Sequence, residues 1–174
     1  MTQVYLGLGS NIEQAKNLLS GLDALSQWSE LSLSPVYESP AFGFDGPVFW
    51  NMVVGLELDL PVVELLKALR TLEMQHGRQA NATKFSSRRL DIDLLLYGDL
   101  DLRAQGIDLP RAEITERAYV LKPLKDLSPA LIMPAAQSPV SELWSAYQQQ
   151  HPVEANALRS VELCWRGRQF SRAA

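Results

Sequence analysis

The chain has 174 residues, enough for one domain with a sizeable core, and its 47% hydrophobic and 21% charged residues exclude a disordered or membrane-embedded composition. A net charge of −4 and a pI near 5.2 exclude a general basic footprint for nucleic acid, so an anionic ligand must be met by a local cluster of positive charge. One cysteine, Cys164, excludes an internal disulfide, and two histidines exclude a histidine-rich zinc site.

No stretch approaches the roughly 18 apolar residues of a membrane span. The N-terminal MTQVYLGLGSN has no basic region ahead of an apolar run, so no signal peptide is expected. No internal repeat or low-complexity tract interrupts the chain. The expectation is a single domain over residues 1–174, monomeric and cytoplasmic, with small-molecule rather than nucleic-acid or membrane partners.

QVYLGLG at 3–9 reads as a first strand. Asn11 with Gln14 reads as the capping box of a helix, whose Leu18, Leu19, Leu22 and Leu25 recur at helical spacing to about Trp28. LSLSPVYES at 31–39 alternates like a strand, with Pro35 marking an edge or bulge. The turn-rich PAFGFDGP at 40–47 leads into a strand over 49–60 that pairs with its predecessor. Pro61 suits the first turn of a second helix, with a buried stripe of Val62, Leu65, Leu66, Leu69 and Leu72 and a stop at Gly77. Residues 78–89 lack periodicity and form a loop long enough to be functional. A strand follows over 90–97, then helical pieces from 110 to 127, and VELCW at 161–165 as a late strand. The order β-α-β-β-α-β predicts an α+β fold, a ferredoxin-like α/β sandwich around a mostly antiparallel sheet.

RRLDIDLLLYG at 88–98 carries the chemistry. Strand residues two apart share a face, so Asp91 and Asp93 project together, about 7 Å apart along the strand. Leu90, Ile92 and Leu94 take the opposite, core face. Such a pair suits one or two hard divalent ions; two Mg²⁺ roughly 4 Å apart can clamp a polyphosphate. From Met74 to Leu90 there is no acidic residue, while Arg78, Lys84, Arg88 and Arg89 fall inside that window. Carboxylates for metal beside arginines for phosphate are the minimum parts of a phosphoryl-transfer site. The competing reading is a self-neutralising surface network of salt bridges.

LGLGSN at 6–11 lacks both the Walker pattern and the third glycine of a dinucleotide fingerprint, and reads as a strand-to-helix turn. Phe42, Phe44, Phe49, Trp50 and Tyr119 offer stacking surface for a flat heterocycle, or plain core. Asn51 lies on the same strand face as Phe49, where its amide could read the edge of a ring.

These residues, in this order, resemble the 6-hydroxymethyl-7,8-dihydropterin pyrophosphokinase family of folate biosynthesis. The resemblance runs from the first strand to about Pro134. It rests on YLGLGSN at 5–11, YESPAFG at 37–43, Phe49 to Asn51, EMQHGR at 73–78, SSRRLDIDLLLYG at 86–98 and LPRAEITERAYVLKPL at 109–124. It implies transfer of the β,γ-diphosphate of ATP to the pterin hydroxymethyl group, yielding AMP. Asp91 and Asp93 would hold two Mg²⁺ ions, and Arg78 and Arg88 would neutralise the transferring group, Arg88 nearest the reaction. Phe49 and Tyr119 would sandwich the pterin, with Asn51 and the chain from Ser39 to Phe42 bonding its edge. Glu73, Lys84, Arg111, Arg117 and the 109–113 segment would border ATP. Residues 78–89 would be a mobile loop closing over both substrates.

The chain departs from the family pattern at several positions. Phe85 stands where the family has a tryptophan, Ser86 and Ser87 where it has Gly-Pro, Ala80 and Arg111 where it has an arginine and a histidine, and Ala41 where it has a proline. Phenylalanine at 49 and tyrosine at 119 exchange the usual stacking pair. These departures leave open a second reading, a divergent relative that binds ATP or a pterin without useful turnover. An RNA-binding module on the same kind of sheet is disfavoured by the acidic pI and the paired aspartates.

Overall fold

In the computed structural model, which describes residues 1–78 and 83–174, the strands alternate their faces as the sequence pattern requires. Ala80, and with it part of the expected 78–89 loop, lies outside the described residues. Strand β1 (Thr2–Ser10) directs Val4, Leu6 and Leu8 to one side and Tyr5 to the other. Helix α1 (Gln14–Leu25) and helix α2 (Val62–Gln75) cover the first side, burying Leu18, Leu22 and Leu25 from one and Leu65, Leu69 and Leu72 from the other. Burial of each such side chain contributes about 1.5–3 kcal/mol.

Between the helices run β2 (Ser32–Leu33), β3 (Val36–Ser39) and β4 (Phe49–Leu58), and β5 (Asp91–Tyr97) follows α2. Four further helices complete this half of the chain: α3 (Glu113–Glu116), α4 (Ala118–Leu127), α5 (Val140–Gln150) and α6 (Pro152–Ala157). The second face of the sheet packs against them through Ile114, Leu121, Leu124, Trp144 and Tyr147. A last strand, β6 (Arg159–Val161), joins the sheet, giving the order β5-β1-β4-β3-β6 with β2 also on β4, all neighbours antiparallel. This is the ferredoxin-like α+β sandwich that the element order predicts.

Two sequence expectations are corrected. Asn11 does not cap α1: Glu13, in the left-handed region at φ 45°, precedes the helix, and no side chain caps it. Leu66 lies on the outer side of α2, 37% exposed, because the buried stripe follows 65, 69 and 72. The bulge expected at Pro35 is present: Leu33 pairs with Val54 and Tyr37 with Asn51, so one extra residue lies on this side, and Ser34 keeps the strand tied to β4. Its amide donates to Val53 O at 3.0 Å and its hydroxyl accepts from Val53 N at 2.8 Å.

The tail beyond residue 150, which the family resemblance leaves unassigned, is built into the fold. β6 covers the free edge of β3, pairing Tyr37 with Ser160 and Glu38 with Arg159. A hairpin of β7 (Leu163–Trp165) and β8 (Arg168–Ser171) then folds back over α1. Trp165 Nε1 donates to Asp23 at 2.9 Å, and Arg166 reaches both Asp23 at 3.3 Å and Ser26 at 3.0 Å.

The buried Ser171 hydroxyl joins the two edges, accepting from Val36 N at 2.8 Å and donating to Val161 O. Ser171→Ala leaves the Val36 amide without its partner and should destabilise the fold by about 1–3 kcal/mol in urea unfolding. A loss below about 0.5 kcal/mol contradicts that role for the hydroxyl.

Candidate active site

The second face of the sheet is open where β1, β4 and β5 converge. Register sets its floor: Gly9 of β1 lies opposite Asn51 of β4 on one side and Asp91 of β5 on the other. The next row down is Val53, Gly7 and Asp93. Neighbouring strands stand about 4.8 Å apart, so Asn51 and Asp91 are separated by roughly 10 Å. Glycine on the middle strand leaves a trough between them. The trough admits no side chain at Gly9, where a Cβ would lie 2.6 Å from Asn51 Oδ1.

The cleft over this floor has a volume of about 440 Å³. Ser39, Phe42, Phe49, Asn51, Arg78, Lys84, Arg88, Asp91, Asp93, Arg111 and Tyr119 all line it. Of the residues singled out from sequence, Glu73 and Arg117 lie outside this lining. Glu73 sits behind Asp91, buried on the last turn of α2. Arg117 lies against the cleft wall, its guanidinium 3.8 Å from the centre of the Phe42 ring.

Glu73, Asp91 and Asp93 offer carboxylate oxygens that all lie within 4.8 Å of one another. Glu73 is positioned by the strand itself, its Oε1 accepting from Ile92 N at 2.9 Å. Arginines flank the cluster. Arg78 bonds Glu73 and stands 3.4 Å from Asp91, while Arg111 stands 3.4 Å from Asp93 and 3.2 Å from Glu113. The Nε atoms of both arginines are buried and have no partner among the described residues. Burial pushes the Asp93 carboxyl well above the ordinary carboxylate range, and the neighbouring Asp91 charge adds to it. Burial likewise raises Glu73. Three crowded oxygen donors of this kind fit a hard divalent cation, which would relieve their repulsion.

Arg88 is held differently. Its guanidinium bonds Ser86 Oγ and Thr83 O and lies 3.3 Å from Ser87 O, so the side chain is folded onto its own segment at the cleft edge. Arg89 is the surface residue of the pair, bonded to Glu13 at 3.1 Å.

Aromatic rings close the opposite end. Phe44 packs edge-on to Phe49 with centres 6.3 Å apart, and Phe42 packs edge-on to Phe85 at 5.5 Å. Lys84 Nζ lies 5.2 Å from the Phe85 ring centre. Burial pushes the Tyr119 hydroxyl up to about 12, with Glu113 adding to the effect, so it stays protonated. Asn51 Nδ2 donates to Ser39 Oγ at 3.4 Å, leaving its Oδ1 over Gly9.

Gly7 and Gly9 carry no site role in the sequence reading, and Glu113 enters it only within the 109–113 segment. The spacing of the two glycines in a strand was the available signal, since period two puts both on the cleft face. Clustered carboxylates with cationic flanks are the equipment of a phosphoryl-transfer site.

Comparison with known proteins agrees. The family described as 7,8-dihydro-6-hydroxymethylpterin-pyrophosphokinase (HPPK) matches residues 5–129. The 2-amino-4-hydroxy-6-hydroxymethyldihydropteridine pyrophosphokinase of Pseudomonas aeruginosa is 36% identical over 137 residues, covering 76% of this chain and 84% of that protein. The enzyme of the same name from Aquifex aeolicus is 34% identical over 145 residues, covering 82% and 90%. Wild-type Plasmodium falciparum HPPK-DHPS shares the fold, with a TM-score of 0.71 at 12% identity. That match covers 98% of this chain but 50% of the longer one. The chain belongs to the HPPK family.

Gly9→Ala should destabilise the protein by about 1–3 kcal/mol through overpacking against Asn51, measured by urea unfolding. Adding Asn51→Ala should recover most of the loss; purely additive losses would show that the two residues do not share this space.

Proposed function

We propose that the protein transfers the β,γ-diphosphate of ATP to the hydroxymethyl group of 6-hydroxymethyl-7,8-dihydropterin, giving AMP and the pterin diphosphate in folate biosynthesis. The observation that carries this reading is the row Asn51, Gly9, Asp91, which sets a ring-reading amide and a cation-binding carboxylate on either side of a trough. The relatives are named as pyrophosphokinases, and the binding-only alternative gains no support from them.

Phe49 and Tyr119 hold the pterin by its faces. Asn51 and the main chain from Ser39 to Phe42 bond its edge. Lys84, Arg111 and Arg117 border the triphosphate, with Glu73 behind them bracing Arg78. Asp91 and Asp93 are the residues that would hold Mg²⁺, as two ions, and Glu73 completes their oxygen-rich surroundings. When bound, Mg²⁺ polarises the phosphoryl oxygens and offsets the charge of the triphosphate.

The hydroxymethyl oxygen attacks the β-phosphorus, and the bond from that phosphorus to the α,β-bridging oxygen breaks. AMP leaves with the bridging oxygen, and the hydroxyl proton passes to solvent. Arg78 and Arg88 neutralise the group in transit. Among the described residues the cleft lining holds no histidine. His76 is engaged with Leu72 O and Ser20 Oγ, both at 2.8 Å, and His151 packs on Tyr147. Positioning and charge neutralisation carry the reaction in this reading. A cytoplasmic setting accords with a single cysteine in 174 residues.

Incubation with ATP, Mg²⁺ and the hydroxymethyl dihydropterin should yield AMP; ADP, or no product, would refute the reading. Asp93→Ala should lower kcat by at least about a hundred-fold, the scale of losing one electrostatic clamp in a preorganised site. Turnover near the wild-type rate in that variant would show that the metal assignment is wrong.

A further inference from the structure

Asn11 follows β1 directly and stands where two wall segments of the cleft meet, residues 40–48 ahead of β4 and residues 83–90 ahead of β5. It is only 2% exposed. Its Nδ2 donates to Pro47 O at 3.3 Å and to Ser87 Oγ at 3.2 Å, and its Oδ1 accepts from Arg88 N at 2.8 Å. Its own backbone amide donates to Arg88 O at 3.0 Å. One side chain thus spends both amide donors and its acceptor on groups 36, 76 and 77 residues away. None of these bonds caps α1, which begins behind Glu13. Gln14 runs a parallel tie, its Nε2 donating to Val48 O at 3.1 Å.

We propose that Asn11 is a positioning residue that holds the aromatic wall and Arg88 in fixed register with each other. The inference rests on the reading of the cleft as a site for a ring at one end and a triphosphate at the other. Pro47 lies two residues before Phe49, so the bond to its carbonyl fixes the root of the ring wall. Arg88 is gripped at both its backbone N–H and C=O, so its guanidinium projects from a fixed point. Reaction needs the ring end and the phosphate end aligned to within a fraction of an ångström, and loss of register lowers kcat more than either affinity.

Ser87 is exposed, so Ser87→Ala removes one arm of the cross-link without disturbing the core. Its kcat should fall about three- to ten-fold, the value of one hydrogen bond, with an unchanged KM for the pterin and an unchanged Tm. Asn11→Ala should lose more, and the double variant Asn11→Ala/Ser87→Ala no more than Asn11→Ala alone, because the Ser87 arm is already gone. Asn11→Asp, which keeps the acceptor for Arg88 N–H, should recover part of the Asn11→Ala loss. A wild-type kcat in Ser87→Ala, or losses that multiply in the double variant, overturns the proposal. Amide hydrogen exchange reads the cross-link independently of turnover. Asn11→Ala should reduce protection at Arg88 and at Val48–Phe49 together, and unchanged protection at either overturns the proposal. Absence of AMP from the wild type would instead count against the reading of the cleft, while the exchange result still decides the role of Asn11.

Discussion

Two carboxylates on a strand whose other side is sealed in a hydrophobic core have nowhere to turn, so the charge they carry must be met in place. Ile92 and Leu94 are buried against α1 and α2, and the same alternation presents Asp91 and Asp93 to the cleft. A one-residue slip of β5 would exchange the two sets, burying the aspartates and exposing the aliphatic residues. Arg78 approaches from the end of α2 and Arg111 from the segment after β5, one to each aspartate. The pairing of β5 with β1 changes register between Tyr5 and Leu6, so Leu95 and Leu96 both join the second core directly after the aspartates.

The rest of the site is arranged around that row. β1, at the centre of the acidic and amide-bearing strands, contributes glycine where its neighbours contribute function. Helices α4 and α5 cover the remainder of the same face, leaving the cleft at the ends of the three strands. Asn11, at the exit of β1, ties the two wall segments to this floor. The tail covers the outer edge of β3, the strand that delivers Ser39 to Asn51.

Much of this was legible in the sequence where period and residue type agree. The strand carrying Asp91 and Asp93, its core-facing leucines and the order of helices and strands follow from spacing alone. Asn11 was read as a cap because capping rules are local, whereas its partners come from Pro47, Ser87 and Arg88. The cleft role of Gly7 and Gly9 is not legible, because nothing in a single strand shows what the neighbouring strand needs room for. Glu73 enters the sequence reading only as a residue bordering ATP, since a carboxylate at a helix end gives no local sign that a strand amide and an arginine will bury it. VELCW at 161–165 reads as one late strand, but the structure breaks it at Glu162 into the end of β6 and β7, and the pairing of these short strands with β3 and β8 is set by tertiary contact.

In the proposed reaction Arg78 and Arg111 balance the aspartates until cation and triphosphate take over. Manganese-edge diffraction from crystals grown with Mn²⁺, a non-hydrolysable ATP analogue and the hydroxymethyl dihydropterin tests it most directly. The account predicts anomalous density beside the oxygens of Asp91 and Asp93, with Arg78 and Arg111 turned to the phosphates and the ring between Phe49 and Tyr119. Metal bound elsewhere, with both arginines still paired to the aspartates, would contradict it.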